Sequence, residues 1–143
     1  MHLHMHHLNW IAVIVAAVST MIVGFVWYSP ILFAKPWMRE MGYDLNDKTK
    51  MVEMRKSAGP AYTTSFLASI LTAFILALFF RWLGVITVQA GMLVAFHVWL
   101  GFVATVQLTG VLFMKQSLKL YAINTGYQLI CYLAMGAILA AWQ

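Results

Sequence analysis

KPWMREMGYDLNDKTKMVEMRK, residues 35–56, holds ten of the charged residues in a chain that has only nine Lys or Arg and four Asp or Glu among 143 residues. The first 34 residues carry no such charge, and beyond Lys56 only Arg81, Lys115 and Lys119 remain. This distribution turns the apolar remainder into a membrane topology. Hydrophobic residues make up 63% of the chain and mean hydropathy is +0.82, more apolar side chain than so small a globule hides from water. A helix that crosses the hydrocarbon core needs about 20 mainly apolar residues at about 1.5 Å each. Four windows qualify: residues 8–33, 61–80, 89–114 and 120–142. They are continuously apolar and lack the period-two alternation of a membrane barrel strand, so backbone hydrogen bonds must close inside helices. The fold expected is all-α, an integral membrane four-helix bundle forming a single domain over residues 1–143. Within the loop 35–60, caps at Asp44, Asn46 and Asp47, apolar Met51, Val52 and Met54, and a stop at Gly59-Pro60 predict a short amphipathic helix lying on the interface.

Orientation follows from counting Lys and Arg by loop. The first loop has Lys35, Arg39, Lys48, Lys50, Arg55 and Lys56, the third has Lys115 and Lys119, and the second has only Arg81. The positive-inside rule makes the first and third loops cytoplasmic and both termini outward. Aromatic anchors give the same map, with Trp10, Trp82 and Trp142 at outer ends and Trp27, Trp37, Tyr62 and Tyr121 at inner ends. The first span has no basic leader and is too long for a signal-peptide core, so it reads as a retained helix. The net charge of +5 belongs to these flanks and to anionic headgroups; no basic stripe or motif points to nucleic acid. Cys131 stands alone in the fourth span, where it has no disulfide partner and an apolar setting keeps its thiol inert.

Small and polar residues recur at four-residue spacing in each span. The rows are Ala12, Ala16, Thr20, Gly24 and Tyr28; Ala61, Ser65, Ser69, Ala73 and Ala77; His97, Gly101, Thr105 and Thr109; and Asn124, Gln128, Tyr132, Gly136 and Ala140. Residues four apart share a face, so such rows let helices approach closely in lipid. By depth, Tyr28, Thr105, Gln107, Thr109, Asn124 and Gln128 form a polar cluster toward the cytoplasmic side. It reads either as a vestibule for a small polar solute or, preferably, as interhelical hydrogen bonds. His97 is a lone ionisable side chain inside a span, preferably bonded to a neighbouring hydroxyl or carbonyl, otherwise a proton relay or metal ligand. The spans hold no Asp or Glu. With no paired carboxylates, and no nucleophile with an evident base, an enzyme is not expected. No cofactor is implied, apart from a metal on the N-terminal donors His2, His4, Met5, His6 and His7, which suit copper or another soft ion.

Trp27-Tyr28-Ser29-Pro30, with Lys35 and Trp37, forms an interfacial motif in which Pro30 kinks or ends the first helix and the aromatics anchor the turn. Ser29–Lys35 also aligns with Thr109–Lys115, as a duplication of two hairpins would produce. Together with Leu32-Phe33, Trp99-Leu100-Gly101-Phe102, Ile123-Asn124-Thr125-Gly126-Tyr127 and Met135-Gly136-Ala137-Ile138, the motif resembles the family catalogued as domain of unknown function 1761. The resemblance runs through nearly the whole chain. It implies a small four-span protein of a bacterial inner membrane and supplies no substrate; Gln128 stands where the resemblance leads one to expect His.

Three functional classes remain. The preferred one is action by association, as a homo-oligomer or an accessory subunit of a larger membrane complex, with the lipid bilayer as the first partner. A passive channel or transporter for a small solute is the second, and outward-facing metal handling the third.

Overall fold

The computed structural model describes residues 8–43 and 46–143. Among these residues the chain forms five helices: α1 (Trp10–Trp27), α2 (Ala34–Glu40), α3 (Lys48–Leu83), α4 (Val88–Met114, with a π-helical turn over Leu100–Ala104) and α5 (Leu118–Ala141). Helices α1, α3, α4 and α5, of 18, 36, 27 and 24 residues, are long and apolar enough to cross a membrane. The all-α bundle expected from the sequence is thus present.

Each helix begins and ends where local chemistry requires. Asn9, Asp47, Thr87 and Ser117 cap the starts of α1, α3, α4 and α5 by accepting backbone N–H bonds in the first turn. Gly84 ends α3 at φ 68°, with Val85 N–H bonded to the Phe80 carbonyl at 2.8 Å and Gly84 N–H to that of Arg81 at 3.3 Å. This pair of bonds needs a left-handed residue, which Gly supplies at least cost. At the end of α1, Pro30 has no N–H for the Val26 carbonyl, which instead accepts Ser29 N–H at 3.3 Å and Ser29 Oγ at 2.7 Å. The first helix therefore stops at Trp27, short of the window 8–33. The chain turns through residues 28–33 into α2, which the sequence did not indicate. Ser29–Lys35 is mostly turn while Thr109–Met114 is helical, so the two halves of the proposed repeat differ in conformation.

The loop helix also differs from expectation. Its cap at Asp47 forms, accepting Thr49 N–H at 3.1 Å and Lys50 N–H at 3.2 Å, whereas Asp44 lies outside the described residues. No stop occurs at Gly59-Pro60. Instead α3 continues for 36 residues with Pro60 inside it. Gly59 has no Cβ to clash with the proline ring. The orphaned Lys56 carbonyl falls in an exposed stretch where solvent or headgroups can bond it. At about 1.5 Å per residue α3 is longer than the hydrocarbon core is thick, so its charged first turns project beyond the span.

Helix α5 is the centre of the bundle, packed along α4 on one side and α1 on the other, with α3 mainly against α1 and scarcely touching α4. The α4–α5 contact is nearly backbone on backbone. A Cβ on Gly91 would lie 2.5 Å from Ala140 Cβ and 2.7 Å from the Gly136 carbonyl, and one on Gly136 would lie 2.8 Å from both Ala95 Cβ and the Gly91 carbonyl. The apolar core sits at the terminal end of the bundle, the end where Asn9 meets Trp142, and there Ala12, Val13, Ala16, Ala73, Leu76, Phe80, Met135 and Leu139 are buried together. Of the small-residue row of α1, Ala12 and Ala16 face this core, and Thr20 is buried beyond them. The row on α4 does not: His97, Gly101, Thr105 and Thr109 are all exposed, and Gly91 and Ala95 make the α4 contact instead. On α3 the row is split, with Ala73 buried and Ala61 and Ser65 exposed.

Gly136→Val and Gly91→Val are expected to destabilise the protein by about 1–3 kcal/mol, the usual cost of overpacking a tight contact. Gly110→Ala, with nothing within 4 Å of its added Cβ, should be near neutral. Thermal melting in detergent, followed by size-exclusion chromatography, measures both.

Candidate functional site

Toward the other end of the bundle, where residues 28–43 and the Lys115–Ser117 turn lie, the α5 interfaces become polar. Tyr28 Oη donates to Asn124 Oδ1 at 2.7 Å, joining α1 to α5, and Gln107 Nε2 donates to Gln128 Oε1 at 2.9 Å, joining α4 to α5. These are four members of the cluster read from the sequence, and they form two closed pairs. Thr105 and Thr109 are not brought in. Both are exposed, and their hydroxyls bond their own helix, Thr105 Oγ1 to the Gly101 carbonyl at 2.7 Å and Thr109 Oγ1 to the Thr105 carbonyl at 3.1 Å. Such bonds from a Thr hydroxyl to the carbonyl one turn back are general in helices, and Thr63, Thr72 and Thr125 make them too.

Side chains that the sequence reading did not place in the cluster complete a belt around α5. Trp27 Nε1 donates to the Ile123 carbonyl at 3.0 Å, Trp99 Nε1 to the Thr125 carbonyl at 3.0 Å, and Tyr121 Oη to the Ala104 carbonyl at 2.8 Å. Tyr127 Oη reaches the Thr20 carbonyl at 3.2 Å, while Thr20 Oγ1, 2.7 Å from the Ala17 carbonyl, is hydrogen-bonded with Ser69 Oγ at 2.9 Å and so ties in α3. The available signal was the aromatic polar tips, since a Tyr O–H or Trp N–H buried in a span requires an acceptor. Among the described residues no buried side-chain nitrogen or oxygen lacks a hydrogen-bond partner.

The interfacial motif is built into the same belt. Besides the bonds of Trp27 and Tyr28 to α5, the Trp27 ring lies 4.6 Å from that of Phe33, and Trp37 meets Tyr28 edge-on at 5.9 Å. Pro30 and Lys35 are exposed at the turn. A cavity of about 190 Å³ opens beside the belt, lined by Gln107, Val111, Gln116, Tyr121 and Asn124 among others. A second, of about 250 Å³ at the terminal end, is lined by Asn9, Arg81 and Trp142 among others and shares no lining residue with the first. His97 is apart from both. It is exposed on α4, and its Nδ1 lies 2.8 Å from the Leu93 carbonyl one turn back. The candidate metal donors His2, His4, Met5, His6 and His7 lie outside the described residues.

Amides, phenols and indoles join α1 and α4 to α5, and the Thr20–Ser69 bond ties α3 to α1. A family model described as Protein of unknown function (DUF1761) matches residues 11–140. Neither a curated protein nor a solved structure matches the chain.

Tyr28→Phe and Asn124→Leu are each expected to destabilise the bundle, with a coupling of about 0.6 kcal/mol in a double-mutant cycle, the average for intramembrane hydrogen bonds. Thr105→Val should show no coupling to either. Reversible unfolding in mixed detergent provides the measurement.

Proposed function

The chain belongs to the DUF1761 family, whose function is unknown, and from its own geometry we propose that it works by association: a small, non-enzymatic multi-pass protein acting as a homo-oligomer or as an accessory subunit of a larger membrane complex. The observation that carries this reading is the outward row of α4. His97, Gly101, Thr105 and Thr109 are exposed on a helix long and apolar enough to cross a membrane; the two threonine hydroxyls are bonded within their own helix, but His97 Nε2 has no hydrogen-bond partner among the described residues, and such a group facing lipid is costly. Small residues on the same face allow a neighbouring helix to approach closely. A protein partner removes the cost and uses the space.

The distribution of charge supports both termini facing outward, because eight of the nine Lys and Arg fall in the two loops on one side; a bacterial inner membrane is the location that the family resemblance implies. Passage of a solute has less support. The polar side chains that would line a path, Tyr28 with Asn124 and Gln107 with Gln128, are bonded to each other.

A photoreactive residue placed at Gly101 or Thr105 should give cross-linked adducts in native membranes, and one at Ile22, on the exposed face of α1, should give few. Equal yields, or none at either position on α4, would contradict the proposal.

A further inference from the structure

Because α3 and α4 scarcely touch, a crevice of about 210 Å³ opens between them. It is lined by Leu71, Thr72, Ile75 and Phe79 of α3, Val98 of α4 and Tyr132 of α5. Its walls are apolar but for two hydroxyls. Thr72 Oγ1 is bonded to the Ala68 carbonyl at 3.0 Å, whereas the Tyr132 hydroxyl has no hydrogen-bond partner among the described residues. A phenol O–H inside a span has no water to turn to.

His97, on the exposed face beside Val98, has the opposite deficiency. A carbonyl only accepts, so the 2.8 Å contact with the Leu93 oxygen places the proton on Nδ1 and leaves Nε2 of the neutral imidazole as an acceptor. That acceptor also has no hydrogen-bond partner among the described residues. One chain thus presents a donor lacking an acceptor and an acceptor lacking a donor. They lie at nearly the same depth. Ala95 faces Gly136 across the antiparallel α4–α5 contact; His97 is two residues further along one helix and Tyr132 four along the other, a difference of about 3 Å at 1.5 Å per residue.

We propose that a second copy of the chain occupies this face, with His97 Nε2 of each copy accepting from the Tyr132 hydroxyl of the other; the inference rests on the association reading above. Copies inserted in the same orientation are related by a two-fold axis along the membrane normal, which preserves depth. A depth-matched pair on one chain therefore closes twice in the dimer. Gly101 and Thr105, next on the row, leave room for the partner's helix. A phospholipid is a poorer occupant, because its ester carbonyls sit at the interface and not about 14 Å inside the span, where His97 lies nine residues from Val88.

The test is energy transfer between separately labelled copies in lipid vesicles, with the label on a cysteine introduced at the exposed Ser57. His97→Phe and Tyr132→Phe should each weaken self-association about tenfold, since either removes both hydrogen bonds. Mixing His97→Phe copies with Tyr132→Phe copies leaves one bond intact in each mixed dimer, and should recover about threefold over either variant alone. Recovery in the mixture separates a bond between copies from a folding defect in either variant. Unchanged association in both variants, or no recovery on mixing, would overturn the proposal. Wild-type copies that fail to associate while α4 still cross-links to another membrane protein would refute the second copy but leave the association reading standing; no transfer and no adduct would remove both.

Discussion

Gly91 and Gly136 touch almost backbone to backbone, and that contact sets the α4–α5 seam at the centre of the bundle. Because neither residue has a Cβ, α4 and α5 approach closely enough for Ala95 and Ala140 to complete the seam. In lipid the apolar side chains gain nothing by leaving their surroundings for one another, so close packing and interhelical hydrogen bonds hold helices together. The seam fixes an antiparallel register. That register brings Gln107 to Gln128, Trp99 Nε1 to the Thr125 carbonyl and Tyr121 to the Ala104 carbonyl.

Two kinds of cohesion divide the bundle along its length. In the terminal half, alanines and a few large side chains pack without polar partners. In the other half, α5 binds α1 and α4 through amides, phenols and indoles, each spending its hydrogen bond inside the bundle. The unspent groups face outward, on α4 and in the crevice beside it. Function by association is the reading that uses those groups.

Much of the fold was legible because the bilayer imposes length and polarity directly. Charge clustering placed the spans, and the row from Ala12 to Thr20 marked the inner face of α1. Four-residue spacing identifies a face but not the direction in which it points. That is why the His97 row, equally regular, was read as packing when it lies outside. The π turn at Leu100–Ala104 contributes: such a row drifts steadily around an α-helix, and a wider turn reverses the drift and keeps Gly101, Thr105 and Thr109 outward with His97. Gly59-Pro60 misled for a different reason. The pair stops a helix when the glycine turns left-handed, and that conformation depends on the segment downstream. Here that segment is an apolar span, and extending it outweighs one lost backbone bond. The partners of Tyr127, Trp27 and Tyr121 are backbone carbonyls, which no side-chain pattern reveals.

The central claim is that the exposed row of α4 is covered in the native membrane. Spin labels at Gly101 and Thr105, with a reference label at Ile22, measure this through their accessibility to oxygen dissolved in the lipid phase. The account predicts low accessibility on α4 in native membranes, rising to that of Ile22 when the protein is diluted into excess lipid. Accessibility equal to that of Ile22 at both protein densities would contradict it.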